Sequence, residues 1–203
     1  MKILYYSGWL ATRIITKLLF RIKISGQHHL PRTGGFILAT NHRSYLDPLL
    51  AGSWSRRQVY FLAKKELFTN RFFGWVITRT NALPVKRGSI DRNALKLCLD
   101  VISKGYGLTI FPEGTRAKDR EFLEPRPGIG VIALEAKVPI VPAYINGSNR
   151  LKDCLLGRDR LAIYFGEPLP VDAITSSVAG KTGYIQIAEL VMNRIKDIRA
   201  GVK

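Results

Sequence analysis

Gly35-Phe36-Ile37-Leu38-Ala39-Thr40 runs directly into Asn41-His42-Arg43-Ser44-Tyr45-Leu46-Asp47-Pro48, and the reading of this passage decides the fold. Phe36 to Ala39 is an uninterrupted apolar run of strand length, the pattern of a strand buried on both faces of a sheet. Asp47-Pro48 reads as a helix start, with Asp at the N-cap and Pro at the first helical position, where a missing N–H costs nothing. A five-residue offset in a regular helix turns about 140° from its start, so His42 and Asp47 cannot share a helical face. They can meet only if His42 lies in the loop and folds back over the helix N-terminus. Taken alone, the pair has two readings. Either Asp47 caps the helix beside an incidental polar loop residue, or its carboxylate holds the imidazole for chemistry.

A second motif bears on that choice. Gly107 to Phe111 is another apolar run, and it ends in Pro112-Glu113-Gly114-Thr115-Arg116, a turn carrying acid, hydroxyl and guanidinium together. In open α/β sheets ligands bind in the crevice at the carboxyl ends of the strands, which is where both motifs fall.

With these residues quoted, the sequence resembles the glycerolipid acyltransferases typified by 1-acylglycerol-3-phosphate acyltransferase. The resemblance extends from about Ile24 to Ile145 and consists of five blocks in matching order. They are Asn41-His42 through Asp47, Ala63-Lys64-Lys65-Glu66-Leu67, Pro84-Val85-Lys86-Arg87, Phe111 to Arg116, and Val138-Pro139-Ile140-Val141-Pro142. The resemblance implies acyl transfer from acyl-CoA or acyl carrier protein to the sn-2 hydroxyl of lysophosphatidate, giving phosphatidate in phospholipid biosynthesis. It implies no metal and no cofactor beyond the acyl donor. Carried over motif by motif, it implies His42 and Asp47 as the catalytic pair. Lys64, Arg87, Thr115 and Arg116 would lie around the acceptor phosphate, with Glu113 and Gly114 shaping the pocket.

The residue chemistry is compatible with that expectation. Acyl transfer to an alcohol needs a base for the hydroxyl, stabilisation of the tetrahedral oxyanion and a good leaving group. An imidazole suits the first task, and a carboxylate beside it would hold the tautomer and stabilise the imidazolium. No Gly-x-Ser-x-Gly occurs in the chain, so a covalent acyl-serine lacks its usual scaffold and direct attack on a thioester is favoured.

The 203 residues fit a single domain, and 46% hydrophobic residues argue for a packed core. Against 15 Asp and Glu stand 32 Lys and Arg, a net charge of +17. Such an excess expects an anionic partner: nucleic acid, an acidic membrane surface or phosphorylated substrates. A nucleic-acid module would carry a basic stripe with interleaved exposed aromatics; here the basic residues of the motifs fall at strand ends beside acids, so no nucleic-acid partner is expected. A thioester or lipid hydrolase using the same His and Asp is the other rival, and the acceptor pocket decides between them. Cys98 and Cys154 lie far apart in apolar stretches, as reduced buried thiols do, and the three histidines show no zinc-ligand spacing.

At the N-terminus the longest uncharged run, Ile3 to Thr12, is too short for a bilayer core that needs roughly 20 residues. Projected at roughly 100° per residue, Lys2, Tyr6, Arg13 and Lys17 gather on one side while Leu4, Ala11, Ile15, Leu18 and Leu19 take the other, with Trp9 near the boundary. This predicts an amphipathic helix over residues 1–22 lying flat on anionic lipid; a helix packed on the domain is the alternative. Charges interrupt the apolar core that a cleavable signal peptide would need. The expectation is therefore a peripheral or monotopic protein at the cytoplasmic face of the cell membrane, with an α/β acyltransferase domain over residues 23–203.

Within that domain, Ile22 to Gly26, Gln58 to Ala63, Ile140 to Ile145 and Leu161 to Phe165 read as further strands. Helices are expected after an N-cap at Ser89, over Gly128 to Lys137, and along Tyr184 to Ile198, with residues 117–127 a surface loop. The aromatic segment Leu67 to Ile77 reads as core packing, a lipid-facing or acyl-binding surface being the alternative. Gly128-Ile129-Gly130-Val131-Ile132-Ala133 fits a dinucleotide fingerprint formally, but it follows a Pro-containing loop instead of a strand and is set aside. The expected architecture is α/β, a mostly parallel twisted sheet flanked by helices.

Overall fold

A computed structural model describes residues 2–86, 92–118, 121–170 and 180–202. Its centre is a seven-stranded sheet built from β1 (Lys23–Ser25), β2 (Phe36–Thr40), β3 (Val59–Lys64), β4 (Ala82–Val85), β5 (Gly107–Ile110), β6 (Ile140–Asn146) and β7 (Ala162–Phe165). The spatial order is β1-β7-β6-β2-β5-β3-β4. β6, β2, β5, β3 and β4 run parallel, β7 runs antiparallel to β6, and β1 pairs parallel with β7. The mostly parallel α/β sheet expected from the sequence is the one observed. All five residues of β2 are buried. Its alternate side chains feed two cores, Ile37 and Ala39 on one face, Phe36 and Leu38 on the other.

Helices cover both faces. α1 (Lys2–Leu18), α2 (Asp47–Trp54), α3 (Arg71–Arg79) and α6 (Leu151–Leu155) share one side, while α4 (Arg92–Ser103), α5 (Gly128–Ala136) and α7 (Gly180–Ala200) share the other. β4, which contains Pro84, is a strand not expected from the sequence. The proline is tolerated because β4 is an edge strand, paired only with β3. One glycine of the set-aside fingerprint serves packing instead: a Cβ on Gly130 would sit 2.2 Å from the Tyr184 carbonyl oxygen, so glycine lets α5 lie close against α7, whereas a Cβ on Gly128 would meet nothing within 4 Å. The Ser89 cap expected for α4 lies outside the described residues.

Two expectations need correction. The segment Leu67 to Ile77 is not core: only Gly74 and Ile77 of α3 are buried, while Leu67, Phe72, Phe73 and Trp75 face outward. Residues 117–127 are not a purely solvated loop either. Ala117 is buried and donates its N–H to the His42 carbonyl, and Glu121 accepts from Tyr144 Oη–H and pairs with Arg199 on α7.

α1 packs on α2 and α3 by a face carrying Tyr5, Trp9, Arg13 and Thr16, which leaves Ala11, Ile15, Leu18 and Leu19 of the apolar side expected on lipid turned outward. Tyr5 and Thr16 are buried, the Tyr5 hydroxyl accepting from Val59 N–H and the Thr16 hydroxyl from Trp54 Nε1–H. The Arg13 guanidinium lies 4.0 Å over the Trp9 ring and 4.7 Å over the Trp54 ring. With these polar and aromatic groups turned inward, Ile3, Tyr6, Leu10, Ile14, Ile15, Leu18 and Leu19 are left exposed. Among the described residues, no helix is long and apolar enough to cross a membrane.

Candidate active site

The sheet order creates the site. From β2 the chain moves outward to β3 and β4, returns to β5 beside β2, then crosses to β6 on the far side of β2. The helix following β2 packs on one face and the helix following β5 on the other, so the loops leaving these two neighbours diverge. A crevice opens between them at their carboxyl ends, as it does at the switch point of doubly wound sheets.

His42 enters this crevice from the loop after β2. Nδ1 lies 2.9 Å from Asp47 Oδ2, both side chains being buried. A carboxylate oxygen only accepts, so Nδ1 carries the proton and Nε2 presents its lone pair. The imidazole stacks on Phe111, with ring centroids 4.0 Å apart, and borders an open cavity. Asp47 is the first helical residue and not the N-cap, a place that Leu46 takes. Its carboxylate turns back from the helix: Oδ2 also accepts from the N–H groups of Arg43 at 2.6 Å and Ser44 at 2.7 Å. One oxygen thus gathers three donors, which folds the loop over the helix N-terminus and sets the imidazole.

Asn41, to which the motif by itself assigns no task, is buried. Its Nδ2–H donates to the Ile145 carbonyl and its Oδ1 accepts from Ile145 N–H, imitating a strand pair where β2 ends. Glu113 closes the construction from β5. It is 1% exposed; Oε1 accepts from His42 N–H at 2.8 Å and Oε2 from Leu123 N–H at 2.9 Å. Burial pushes its carboxyl up to about 7, against the two backbone hydrogen bonds, which lower it. Expected to shape the pocket, Glu113 instead faces the backbone and does not border the cavity. Gly114 does border it, at φ +67, and a Cβ there would meet the Arg126 side chain at 2.7 Å.

The residues assigned to the acceptor phosphate are spread out. Thr115 borders the cavity. Arg116 does not; its guanidinium carbon lies 3.5 Å over the ring of Tyr45, an exposed residue of the His42 loop. Lys64, at the end of β3, is exposed and 3.6 Å from Glu66. Arg87 lies outside the described residues. Lys86, its neighbour, borders the cavity, as does Arg126 from the stretch read as surface loop. No local pattern marks Arg126; it arrives because its N–H bonds the Pro112 carbonyl beside the Glu113 turn.

The cavity has a volume of about 600 Å³ and lies between α4, α5 and the sheet. Most of its wall is apolar, including Leu62, Val85, Leu95, Cys98, Ile129 and Ile132, and His42, Lys86, Thr115 and Arg126 are its polar members. Burial raises the Cys98 thiol to about 12, so it lines the wall as a neutral group. A proton-accepting nitrogen on the wall of a mainly apolar cavity can serve a reaction on a substrate that carries a hydrocarbon chain. Among the described residues, no cluster of His, Cys, Asp and Glu is arranged to hold a metal ion.

A twisted, mostly parallel sheet with a His–Asp pair at its switch point defines an α/β enzyme scaffold, and sequence comparison supplies the family. The acyltransferase family pattern matches residues 21–146, and the chain belongs to that family. It is 34% identical over 168 residues to the 1-acyl-sn-glycerol-3-phosphate acyltransferase of Streptococcus pneumoniae (strain ATCC BAA-255 / R6), covering 79% of this chain and 62% of that protein. To the enzyme of the same name from Bacillus subtilis (strain 168) it is 29% identical over 189 residues, 93% of each chain. The lyso-ornithine lipid O-acyltransferase of Pseudomonas aeruginosa is 30% identical over 166 residues, 79% of this chain and 62% of that one. The crystal structure of the Thermotoga maritima 1-acyl-sn-glycerophosphate acyltransferase PlsC shares the fold, with a TM-score of 0.73 at 22% identity over 99% of this chain and 81% of that one.

Proposed function

We propose that the protein transfers a fatty acyl group from acyl-CoA or acyl carrier protein to the sn-2 hydroxyl of lysophosphatidate, giving phosphatidate. The observation that carries this reading is the 2.9 Å contact between His42 Nδ1 and Asp47 Oδ2, with the imidazole on the wall of a mainly apolar cavity. His42 Nε2 takes the proton of the acceptor hydroxyl as its oxygen attacks the thioester carbonyl. Asp47 stabilises the imidazolium. The tetrahedral intermediate collapses by breaking the C–S bond, and the departing thiolate recovers the proton from His42. No serine ester intervenes. The cavity holds the acyl chain, while Arg116, Thr115, Lys64 and Arg87 serve the acceptor phosphate. Glu113 acts through the His42 backbone, and Gly114 lets Arg126 approach the cavity.

The acceptor assignment draws on the names of the Streptococcus and Bacillus relatives. The Pseudomonas relative favours a second reading, a lysolipid acceptor with no terminal phosphate. The protein attaches to the cytoplasmic face of the cell membrane as a peripheral or monotopic protein, its residues 1–22 lying on anionic lipid and residues 23–203 forming the acyltransferase domain. The outward apolar row of α1 and the net charge of +17 support this. No nucleic-acid partner belongs to this reading.

Incubation of the purified protein with labelled acyl-CoA, alone, with lysophosphatidate or with lyso-ornithine lipid, tests the assignment. Labelled phosphatidate is the expected product. Preferential labelling of the ornithine lipid would move the assignment to the second reading, and thiol release without any acceptor would make the protein a hydrolase.

A further inference from the structure

α3 displays aromatic residues on its outer face. Phe72 is 76% exposed, Trp75 48% and Phe73 45%, and Leu67 of the preceding turn is exposed beside them. The display belongs to a regular helix, since Asn70 caps it by accepting Phe73 N–H at 2.9 Å, and Gly74 and Ile77 anchor the opposite face on the domain. Phe72 and Trp75, three residues apart, stand with nearly parallel rings, 6.5 Å between centroids and 13° between planes. They form an apolar plate. The Arg79 guanidinium lies 4.2 Å over the Trp75 ring at one end of the helix, and Arg71 stands at the other.

Folded proteins rarely leave such a contiguous aromatic patch to water without a partner for it. The charges around the plate say which partner. From Lys64 to Arg79 the chain carries Lys64, Lys65, Arg71 and Arg79 against the single acid Glu66. A second copy of this chain, also at +17, would meet it with like charge. Tryptophan with arginine stacked over it, as Arg79 lies over Trp75, is a side-chain pair that suits a lipid–water boundary, apolar ring toward the acyl chains and cation among the headgroups. α3 also packs beside α1, on the same side of the sheet as that helix's outward apolar row.

We propose that the Phe72–Trp75 plate, flanked by Arg71 and Arg79, is a lipid-contact surface of its own that seats in an anionic leaflet alongside α1. It extends the membrane reading above from one helix to two. Docking at two helices fixes the tilt of the domain over the leaflet, and with it the direction in which the His42 crevice faces, which one helix lying flat would leave free to roll.

The experiment uses the full chain and needs no substrate for its main arm. Partition onto vesicles of phosphatidylglycerol and phosphatidylcholine is measured by co-sedimentation for wild type and Phe72→Ser/Trp75→Ser. The substituted residues are exposed, so the fold is retained, which thermal melting checks. The double variant should bind at least about tenfold more weakly. Arg71→Gln/Arg79→Gln should lose preference for anionic vesicles over pure phosphatidylcholine. Brominated acyl chains should quench wild-type tryptophan fluorescence, and the quenching should fall in Trp75→Phe. Unchanged partition of the aromatic double variant overturns the proposal. So does lost transfer between short-chain, water-dispersed substrates without vesicles, because the plate would then serve the chemistry. A lipid-free dimer that the substitutions split would make the plate a self-interface. Vesicle binding through α3 in a protein without acyltransferase activity would remove the proposed function and leave this inference standing.

Discussion

The Arg116 guanidinium carbon lies 3.5 Å above the ring of Tyr45, so the turn after β5 and the loop after β2 are in contact beside the crevice. A guanidinium held over a ring can still offer N–H groups for a two-pronged grip on phosphate. Arg116→Lys keeps the charge and loses the fork, and kcat/KM for lysophosphatidate should fall at least about tenfold, or about 1.4 kcal/mol. Tyr45→Phe should retain near wild-type values, whereas Tyr45→Ala should cost roughly two- to fivefold, the range of an exposed cation–π contact. Equal losses on an acceptor without a terminal phosphate would remove Arg116 from the phosphate.

His42→Ala should lower turnover by roughly 10² to 10⁴ in folded protein, the usual contribution of a positioned base. Asp47 separates chemistry from architecture. In Asp47→Asn the amide oxygen still accepts from Arg43 and Ser44 N–H, so the melting temperature should stay close to wild type while kcat falls steeply through loss of the imidazolium partner. Asp47→Ala leaves those two part-buried donors without their acceptor and should melt below Asp47→Asn. Indistinguishable melting of the two variants would show that the carboxylate does not hold the loop.

Glu113 predicts a stability profile. Its folded pKa of about 7 lies above the ordinary 4.5, so between these values the native chain holds a proton that the unfolded chain has released. Stability should therefore fall as pH rises from about 4.5 to about 7, by on the order of 1 kcal/mol per unit, and level off above. Glu113→Gln has no such titration. The difference in melting temperature, wild type minus variant, should shrink across this window; a difference that grows with pH contradicts the buried placement of the acid.

Cys98 is the most deeply buried of the cavity residues on α4. Cys98→Phe should fill that end of the chamber and shift acyl-CoA preference toward shorter chains, with a stability cost of about 1–3 kcal/mol from overpacking. Turnover measured over a series of acyl-chain lengths checks this. An unchanged length profile in folded Cys98→Phe protein would place the acyl chain elsewhere.

From its sequence the chain was legible as an α/β fold with both motifs at the ends of buried strands, because Phe36 to Ala39 and Gly107 to Phe111 are continuous apolar runs broken by turn chemistry. The meeting of His42 with Asp47 was legible for the same local reason, since a helix start five residues on leaves only one way for them to touch. Tertiary structure alone decided which helical faces are free. An apolar row pressed on a core and one held out to a membrane have the same periodicity, so neither the outward turn of α1 nor the exposure of Phe72 and Trp75 could be read from spacing. It also decided the partners of Glu113 and Asn41, which lie 71 and 104 residues away in sequence at His42 and Ile145. Hydrogen bonds across such separations leave no mark in local composition. They exist because sheet order puts β5 and β6 on either side of β2, and that order follows from packing the whole chain.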